Sequence, residues 1–134
     1  MASIVYKIGV VALNIYLKIT GVLGNKKSKK GNIGRKKWKQ QLSGLDKNKK
    51  TFWIHASSHG EAIMAMPLIQ QIFKTPNHQL VMSFFSPSGY ENFNYHNEFF
   101  FKCYLPIDFK NNSKKIIEFI NPKILIFIKY DLWL

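Results

Sequence analysis

The sequence predicts an α/β domain with a Rossmann-like parallel sheet, preceded by a membrane-associated helix. Three observations indicate this class. Strand-like apolar runs alternate four times with helix-like segments after residue 50. The last run, residues 123–129, is apolar almost throughout, which is typical of a strand buried on both faces of a parallel sheet. Residues 4–23 form a separate apolar stretch that is long enough for a membrane helix.

The composition limits the partners that the chain is expected to have. Its 134 residues suffice for one domain, and a hydrophobic content of 46% supports a packed core. The formal net charge of +13 comes almost entirely from lysine, because Arg35 is the single arginine. Nucleic-acid readers depend on arginine for bidentate contacts, so we expect no nucleic-acid partner. The single cysteine, Cys103, cannot form an internal disulfide, which suits a reducing compartment.

The N-terminal segment, residues 1–24, is predicted to be a membrane-anchoring helix. Lys7, Asn14 and Lys18 fall on one side of a helical wheel, so the helix has a narrow polar stripe and a broad apolar face. Spanning a bilayer would place Asn14 near its middle, whereas lying in the interface keeps the stripe in water. Both arrangements stay open, and a buried helix of a soluble core is the remaining reading.

The segment that follows, residues 25–49, is predicted to be a basic linker. Two groups of cations lie in it: Lys26, Lys27, Lys29 and Lys30, then Arg35, Lys36, Lys37 and Lys39. Basic residues beside an apolar helix bind the anionic cytoplasmic leaflet, which predicts a location on the cytoplasmic face of a membrane. A solvated, lysine-rich linker without that role is the alternative.

The globular domain is predicted to occupy residues 50–134 and to begin with two strand–helix units. The first unit is a strand over residues 51–56 and a helix over residues 61–73, and a Pro-Asn pair at 76–77 marks the turn after it. The second is a strand over residues 79–85 and a short helix over residues 90–95. Between them lies a Ser-Pro-Ser-Gly turn.

The third and fourth strands complete the predicted sheet. The third covers residues 100–105 and ends at Pro106. A helix over residues 114–120 follows, with Asn111, Asn112 or Ser113 as its N-terminal cap and Pro122 beyond its end. The strand over residues 123–129 comes last. Four parallel strands make a half-sheet with open edges, so the sequence is expected to be the start of a larger protein.

The heptad at residues 55–61, His-Ala-Ser-Ser-His-Gly-Glu, is the strongest candidate for a site. It lies where the first strand passes into a helix, and the carboxyl ends of parallel strands face the ligand crevice. Glu61 has the chemistry of a general base, although a carboxylate that complements the helix dipole is an equal reading of the spacing. Ser57 and Ser58 lack the pattern of a serine nucleophile. With Gly60, they are expected to shape the loop and contact substrate.

Two further features were weighed as binding sites. Ser86, Ser88 and Gly89 form a second strand-to-helix loop, which would either bind a phosphate through backbone N–H groups or merely cap its helix. His55 and His59 lie four residues apart but straddle a strand–helix turn, so we expect no metal site.

Several motifs together resemble the 3-deoxy-D-manno-octulosonic acid (Kdo) transferases of lipopolysaccharide synthesis. They are the N-terminal apolar helix, the basic stretch at 35–39, the heptad at 55–61, Phe-Phe-Ser-Pro-Ser-Gly-Tyr-Glu at 84–91, Tyr-Leu-Pro-Ile-Asp at 104–108, Asn-Pro-Lys at 121–123 and Lys-Tyr-Asp-Leu-Trp at 129–133. Their order and spacing match along essentially the whole chain. The form at 84–91 is most similar to the Bacteroidetes enzymes.

The resemblance implies a GT-B glycosyltransferase of which this chain is the incomplete N-terminal, acceptor-side domain. It implies transfer of Kdo from CMP-Kdo to lipid IVA at the cytoplasmic face of the inner membrane, with no further cofactor. It also assigns Glu61 as the catalytic base and Asp131 as the transition-state stabiliser, although most members have glutamate at the second position. Arg35 of the basic stretch is expected to bind substrate, and nearby lysines to attract its phosphates.

Two other classes stay open at this point. One is a non-enzymatic, basic module that binds a membrane surface or nucleic acid, and the other is an inactive fragment. Even within the family, this stretch by itself is expected to be inactive because the donor-binding domain is absent.

Overall fold

The computed structural model of the protein describes residues 2–109 and 111–128. Within them four parallel strands form one sheet in the order β3-β2-β1-β4. The strands are β1 (Lys50–Ala56), β2 (His78–Phe84), β3 (Phe100–Tyr104) and β4 (Ile124–Phe127). The predicted α/β class with a parallel sheet is therefore confirmed.

Helices cover both faces of the sheet and precede it. They are α1 (Ala2–Val22), α2 (Lys26–Lys36), α3 (Trp38–Gln41), α4 (His59–Met64), α5 (Met66–Phe73), α6 (Pro87–Asn92) and α7 (Asn112–Ile120). Side chains alternate across each strand, so two separate cores form. The first lies between the sheet and α4–α6 and contains Ile54, Ala62, Ile69, Leu80, Met82, Phe84 and Phe93. The second lies towards α3 and α7 and contains Trp38, Leu42, Trp53, Val81, Cys103, Ile116 and Ile120.

Two predicted helices differ from the observed ones because of proline and capping. The helix predicted over residues 61–73 is two helices, since Pro67 lies in the first turn of α5, where its missing N–H costs nothing. The helix predicted over residues 90–95 begins earlier, at Pro87, because Ser86 caps it, and it ends at Asn92. The first predicted helix is therefore divided in two, and the second keeps its identity with shifted ends.

The prediction that the last strand is buried on both faces is wrong for the described residues. Ile124 is 46% exposed and Phe127 is 37% exposed. Among the described strands, β4 pairs only with β1, so it is the edge of this sheet. The apolar sequence of β4 is typical of a covered strand, but the described part of the chain leaves its side chains partly exposed.

Residues 25–49 differ from the expected linker because two helices in that segment pack against the sheet. Trp38 and Leu42 belong to the second core, and Gly34 is buried. The Gln41 side chain accepts a hydrogen bond from the backbone N–H of Tyr104 at 3.0 Å. A Cβ on Gly34 would overlap the Tyr104 ring, so α2 approaches β3 as closely as a glycine allows. The basic residues of this segment therefore belong to a folded part of the domain.

Helix α1 lies against the domain along one side. Val10 is buried, and Asn32 donates a hydrogen bond to the carbonyl oxygen of Leu17 at 2.7 Å. Near the other end, the Tyr6 hydroxyl donates to Asp108 at 2.8 Å. Burial and this hydrogen bond raise the pKa of Tyr6 to about 12, so the contact persists at neutral pH and is lost as the pH rises towards that value.

The opposite side of α1 is apolar and bare. It carries Ile4, Val5, Ile8, Val11, Ile15, Tyr16, Ile19, Val22 and Leu23, all exposed. By length and composition, Ile4–Val22 could cross a membrane. The helix thus has three sides: one packed on the domain, one apolar and exposed, and the polar edge of Lys7, Asn14 and Lys18 between them.

The close contact between α2 and β3 predicts the effect of a methyl group at Gly34. Gly34→Ala should lower the free energy of unfolding by about 1–3 kcal/mol, because overpacking at a fixed backbone forces both elements apart. Urea unfolding of the whole chain, followed by circular dichroism, measures this change.

Gly9→Ala is the matched control, since it also replaces a helical glycine but its added Cβ meets open space. That variant should be neutral or slightly stabilising because alanine is the better helix former. Equal stability of the Gly34→Ala and wild-type chains would show that α2 does not pack on the sheet as described.

Candidate functional site

Two strand-to-helix loops meet at the carboxyl end of the sheet. The first connects β1 to α4 through Ser57 and Ser58, and the second connects β2 to α6 through Phe85 and Ser86. The backbone N–H of Ser86 donates to the carbonyl oxygen of Ser57 at 2.9 Å, which joins the loops directly. This is the edge at which parallel α/β sheets bind ligands.

Glu61 lies in the first turn of α4 and is partly exposed. Its Oε2 atom accepts a hydrogen bond from the backbone N–H of Ser57 at 2.7 Å. The other carboxylate oxygen accepts no hydrogen bond from the described residues. The side chain is therefore held by one oxygen, while the second is available to take a proton. Capping and base chemistry, the two readings of Glu61, are compatible in this geometry.

Ser58 is the N-cap of α4, and its hydroxyl accepts a hydrogen bond from the backbone N–H of Glu61 at 3.4 Å. With the contact from Glu61 back to Ser57, it forms a variant of the capping box, in which the carboxylate reaches one residue further than usual. Ser57 and Ser58 thus shape the loop as predicted. Their contact with substrate stays a prediction.

In the second loop, the structure favours capping over anion binding. Ser86 is the N-cap of α6, and its hydroxyl accepts from the backbone N–H of Ser88 at 3.3 Å. The N–H groups of Gly89 and Tyr90 both donate to the carbonyl oxygen of Ser86. Pro87 has no N–H to offer. The backbone donors that a phosphate would need are therefore already engaged.

The two glycines of these loops occupy opposite environments. Gly89 is buried, and an added Cβ would lie 2.5 Å from the Phe84 ring and 3.2 Å from the backbone of Ser58. It therefore allows α6 to pack against the first loop and is not exposed to ligand. Gly60 is exposed, and an added Cβ would meet nothing within 4 Å. Open space therefore lies beside Glu61 at this end of the sheet.

Arg35, which the sequence predicts to bind substrate, is an interior residue next to the site. It is only 8% exposed, its guanidinium donates to the carbonyl oxygen of Phe85 at 2.7 Å, and it stacks over the Phe85 ring at 4.5 Å. Burial lowers the pKa of the guanidinium. Arg35 therefore ties α2 to the second loop, and its contact with substrate stays a prediction.

A buried polar trio beneath the first loop was not found from the sequence. Trp53 and His55 on β1 face Ser83 on β2, and all three are buried. The Trp53 indole N–H and the His55 Nδ1 atom each lie 2.8 Å from the Ser83 hydroxyl oxygen. The sequence did contain a signal for this trio. Trp53 and His55 are two residues apart on β1, so their side chains share one face of the sheet.

Two remaining predictions concern Asp131 and the absence of a metal site. Asp131 lies outside the described residues, so its role stays a prediction. His55 faces the second core, whereas His59 packs near Phe93 of the first. In the described part of the chain no group of three His, Cys, Asp or Glu side chains is arranged to hold a metal ion.

Comparison with known families and proteins gives a consistent result. Residues 35–134 match the family model described as 3-deoxy-D-manno-octulosonic-acid transferase (kdotransferase). The chain is 34% identical over 83 residues to the 3-deoxy-D-manno-octulosonic acid transferase of Haemophilus influenzae, which covers 60% of this chain and 19% of that protein. It is 27% identical over 86 residues to the enzyme of the same name from Aquifex aeolicus, covering 63% of this chain and 24% of the other.

A third relative has a composite name. The bifunctional glycosyltransferase/methyltransferase of Fusobacterium nucleatum is 30% identical over 110 residues, which is 80% of this chain and 17% of that protein. The chain therefore spans about a fifth of the length of these curated relatives. No solved structure matches it at a significant level.

The contrast between the two loop glycines yields a paired prediction. Gly89→Ala should lower the free energy of unfolding by about 1–3 kcal/mol, because the methyl group meets Phe84 and the Ser58 backbone. Gly60→Ala should leave stability unchanged or slightly raised. Thermal unfolding of both variants measures the difference. Equal losses would mean that the Gly89 contact is not the close one described.

Proposed function

The chain belongs to the 3-deoxy-D-manno-octulosonic-acid transferase family, and on that premise we propose that it serves the transfer of Kdo from CMP-Kdo to lipid IVA. Its contribution would be the acceptor side of a two-domain, GT-B enzyme. The family match over residues 35–134 supports this proposal. Because the chain spans about a fifth of its relatives, groups that bind CMP-Kdo would lie outside it.

Glu61 is the observation that carries the proposal. Attack by an acceptor hydroxyl on the sugar carbon of the donor requires a base that removes the hydroxyl proton. Glu61 offers one carboxylate oxygen for this purpose, while Ser57 holds the other in place. The exposed, uncrowded Gly60 beside it leaves space for the acceptor sugar. Ser57 and Ser58 are proposed as contacts of that sugar, and Asp131 as the stabiliser of the transition state.

The second loop and Arg35 receive a different role in this proposal. The second loop, with Ser86, Ser88 and Gly89, supports the first loop by packing and capping. Arg35 fixes this second loop to α2. In this proposal, exposed lysines attract the phosphates of the acceptor. Lys18, Lys29 and Lys36 line a cleft between α1, α2 and the loop after β3, together with Arg35 but without an acidic residue among its described lining.

The same proposal places the protein on the cytoplasmic face of the inner membrane. The bare side of α1 is apolar and lies beside exposed Lys26, Lys27, Lys29 and Lys30, a combination that suits an anionic lipid surface. The other side of α1 is packed on the domain from Tyr6 to Thr20, where the Thr20 hydroxyl donates to Ser28 at 2.9 Å. A helix attached along this length favours lying in the interface over crossing the bilayer.

Glu61→Gln separates base chemistry from capping. Glutamine also accepts a hydrogen bond at this position of a capping box, so the fold and acceptor binding should survive. It cannot take the acceptor proton, so we expect the transfer rate to fall by about 100-fold or more. Transfer of labelled Kdo from CMP-Kdo to lipid IVA, in the protein expressed from its complete reading frame, measures this rate.

Glu118→Gln is the control, because Glu118 is an exposed glutamate on α7 that pairs only weakly with Lys114 at 3.8 Å. This variant should keep the wild-type rate. A Glu61→Gln protein that transfers Kdo normally would refute the assignment of the base.

The orientation of α1 is tested by depth-dependent fluorescence quenching. Single labels at Ile8, Ile15 and Val22 on the bare side should all be quenched by spin-labelled lipids at one shallow depth, because the helix axis lies along the surface. A label at Lys36 on α2 is the exposed reference and should stay unquenched. A steady change of depth from Ile8 to Val22 would instead show that α1 crosses the bilayer.

A further inference from the structure

A chain of hydrogen bonds runs from the interior of the sheet to the loop that holds Glu61. It begins at the indole N–H of Trp53, which donates to the Ser83 hydroxyl oxygen at 2.8 Å. The same oxygen lies 2.8 Å from Nδ1 of His55. The parallel register of β1 and β2 sets His55 directly beside Ser83. His55 and Ser83 are completely buried, and Trp53 almost so.

This arrangement selects one tautomer of His55. An indole nitrogen can only donate, so Trp53 uses the Ser83 oxygen as an acceptor. The Ser83 hydroxyl keeps one proton, and His55 Nδ1 is the acceptor that the described residues offer it. If Nδ1 carried a proton instead, a buried hydroxyl hydrogen would be left without an acceptor among the described residues, which is unfavourable. The ring is therefore held neutral, with its proton on Nε2.

The proton on Nε2 lies on the side of the His55 ring that faces the first loop. His55 Nε2 is 3.5 Å from the Ser57 hydroxyl oxygen, the long limit of a hydrogen bond. The backbone N–H of the same residue, Ser57, holds Oε2 of Glu61 at 2.7 Å. Catalytic contacts are often long before substrate binds and shorten in the complex. The Nε2–H group of His55 therefore points from the sheet interior towards Ser57, whose backbone N–H holds the candidate base Glu61.

We propose that His55 is a positioning residue, held by Trp53 and Ser83 as the Nε2–H tautomer so that it orients Ser57 and, through it, Glu61. The inference rests on the proposed role of Glu61 as the base. Packing alone does not require polar groups here, because the strand neighbours on this face, Val81 and Cys103, are apolar.

Nitrogen-15 NMR of the imidazole rings tests the tautomer without any measurement of activity. The whole 134-residue chain, labelled and held in detergent micelles, contains four histidines, and a His55→Gln sample identifies the signals of His55. We expect the pattern of a neutral ring protonated on Nε2. A ring protonated on Nδ1, or one exchanging rapidly between the two forms, would overturn the proposal.

Three variants test whether the tautomer matters for transfer. Ser83→Ala removes the hydroxyl and should lower kcat by about 10- to 100-fold with KM unchanged, since a small misplacement of a catalytic group has effects of that size. Ser83→Thr keeps the hydroxyl and should restore most of the rate. Cys103→Ala is the matched control, because Cys103 is the buried strand neighbour of Ser83 on the same face, and it should behave as wild type.

The outcomes separate this inference from the proposed base. Equal losses in Ser83→Ala and Ser83→Thr would mean that packing, and not the hydroxyl, matters, which would overturn the positioning role. Normal transfer by Glu61→Gln would remove the base, and the positioning role would fall with it. Loss of transfer in Glu61→Gln, together with full activity in Ser83→Ala, would refute the inference while leaving the base intact. If Ser83→Ala does not fold, the wild-type spectrum still decides the tautomer.

Discussion

The register between β1 and β2 is the constraint on which the rest of the structure depends. It places His55 beside Ser83 and brings the two strands to the same level at Ala56 and Phe84. Both strand-to-helix loops therefore leave the sheet together, and Ser86 can bond to Ser57. A slip of one residue would turn His55 into the first core and separate the loops, because successive side chains point to opposite faces.

The attachment of α1 to the domain links the apolar N-terminal helix rigidly to the sheet. Asn32, Ser28 and Asp108 hold the helix from α2 and from the loop after β3, while its apolar side stays bare. These contacts fix the direction in which the exposed apolar side of α1 faces relative to the sheet.

Glu61 combines a structural contact with the position proposed for the base. Its Oε2 atom accepts from the Ser57 N–H at 2.7 Å, and the side chain lies in the first turn of α4. The same contacts restrict its rotamers, so little ordering remains when the substrate arrives. The carboxylate that completes the capping box with Ser58 and the candidate base are thus the same side chain.

The sequence by itself determined the α/β class, the four strands, the apolar N-terminal helix and the heptad around Glu61, because these depend on local periodicity, capping and turn chemistry. It did not reveal that residues 25–49 pack as helices, since Gly34 and Trp38 are informative only when Tyr104 and the sheet lie opposite them. Nor did it show that Arg35 is interior, that β4 is an edge, or that Ser83 reaches His55. These features depend on contacts between residues at least 28 positions apart in the chain, or on which strands are neighbours in the sheet. Only the tertiary structure decides such contacts.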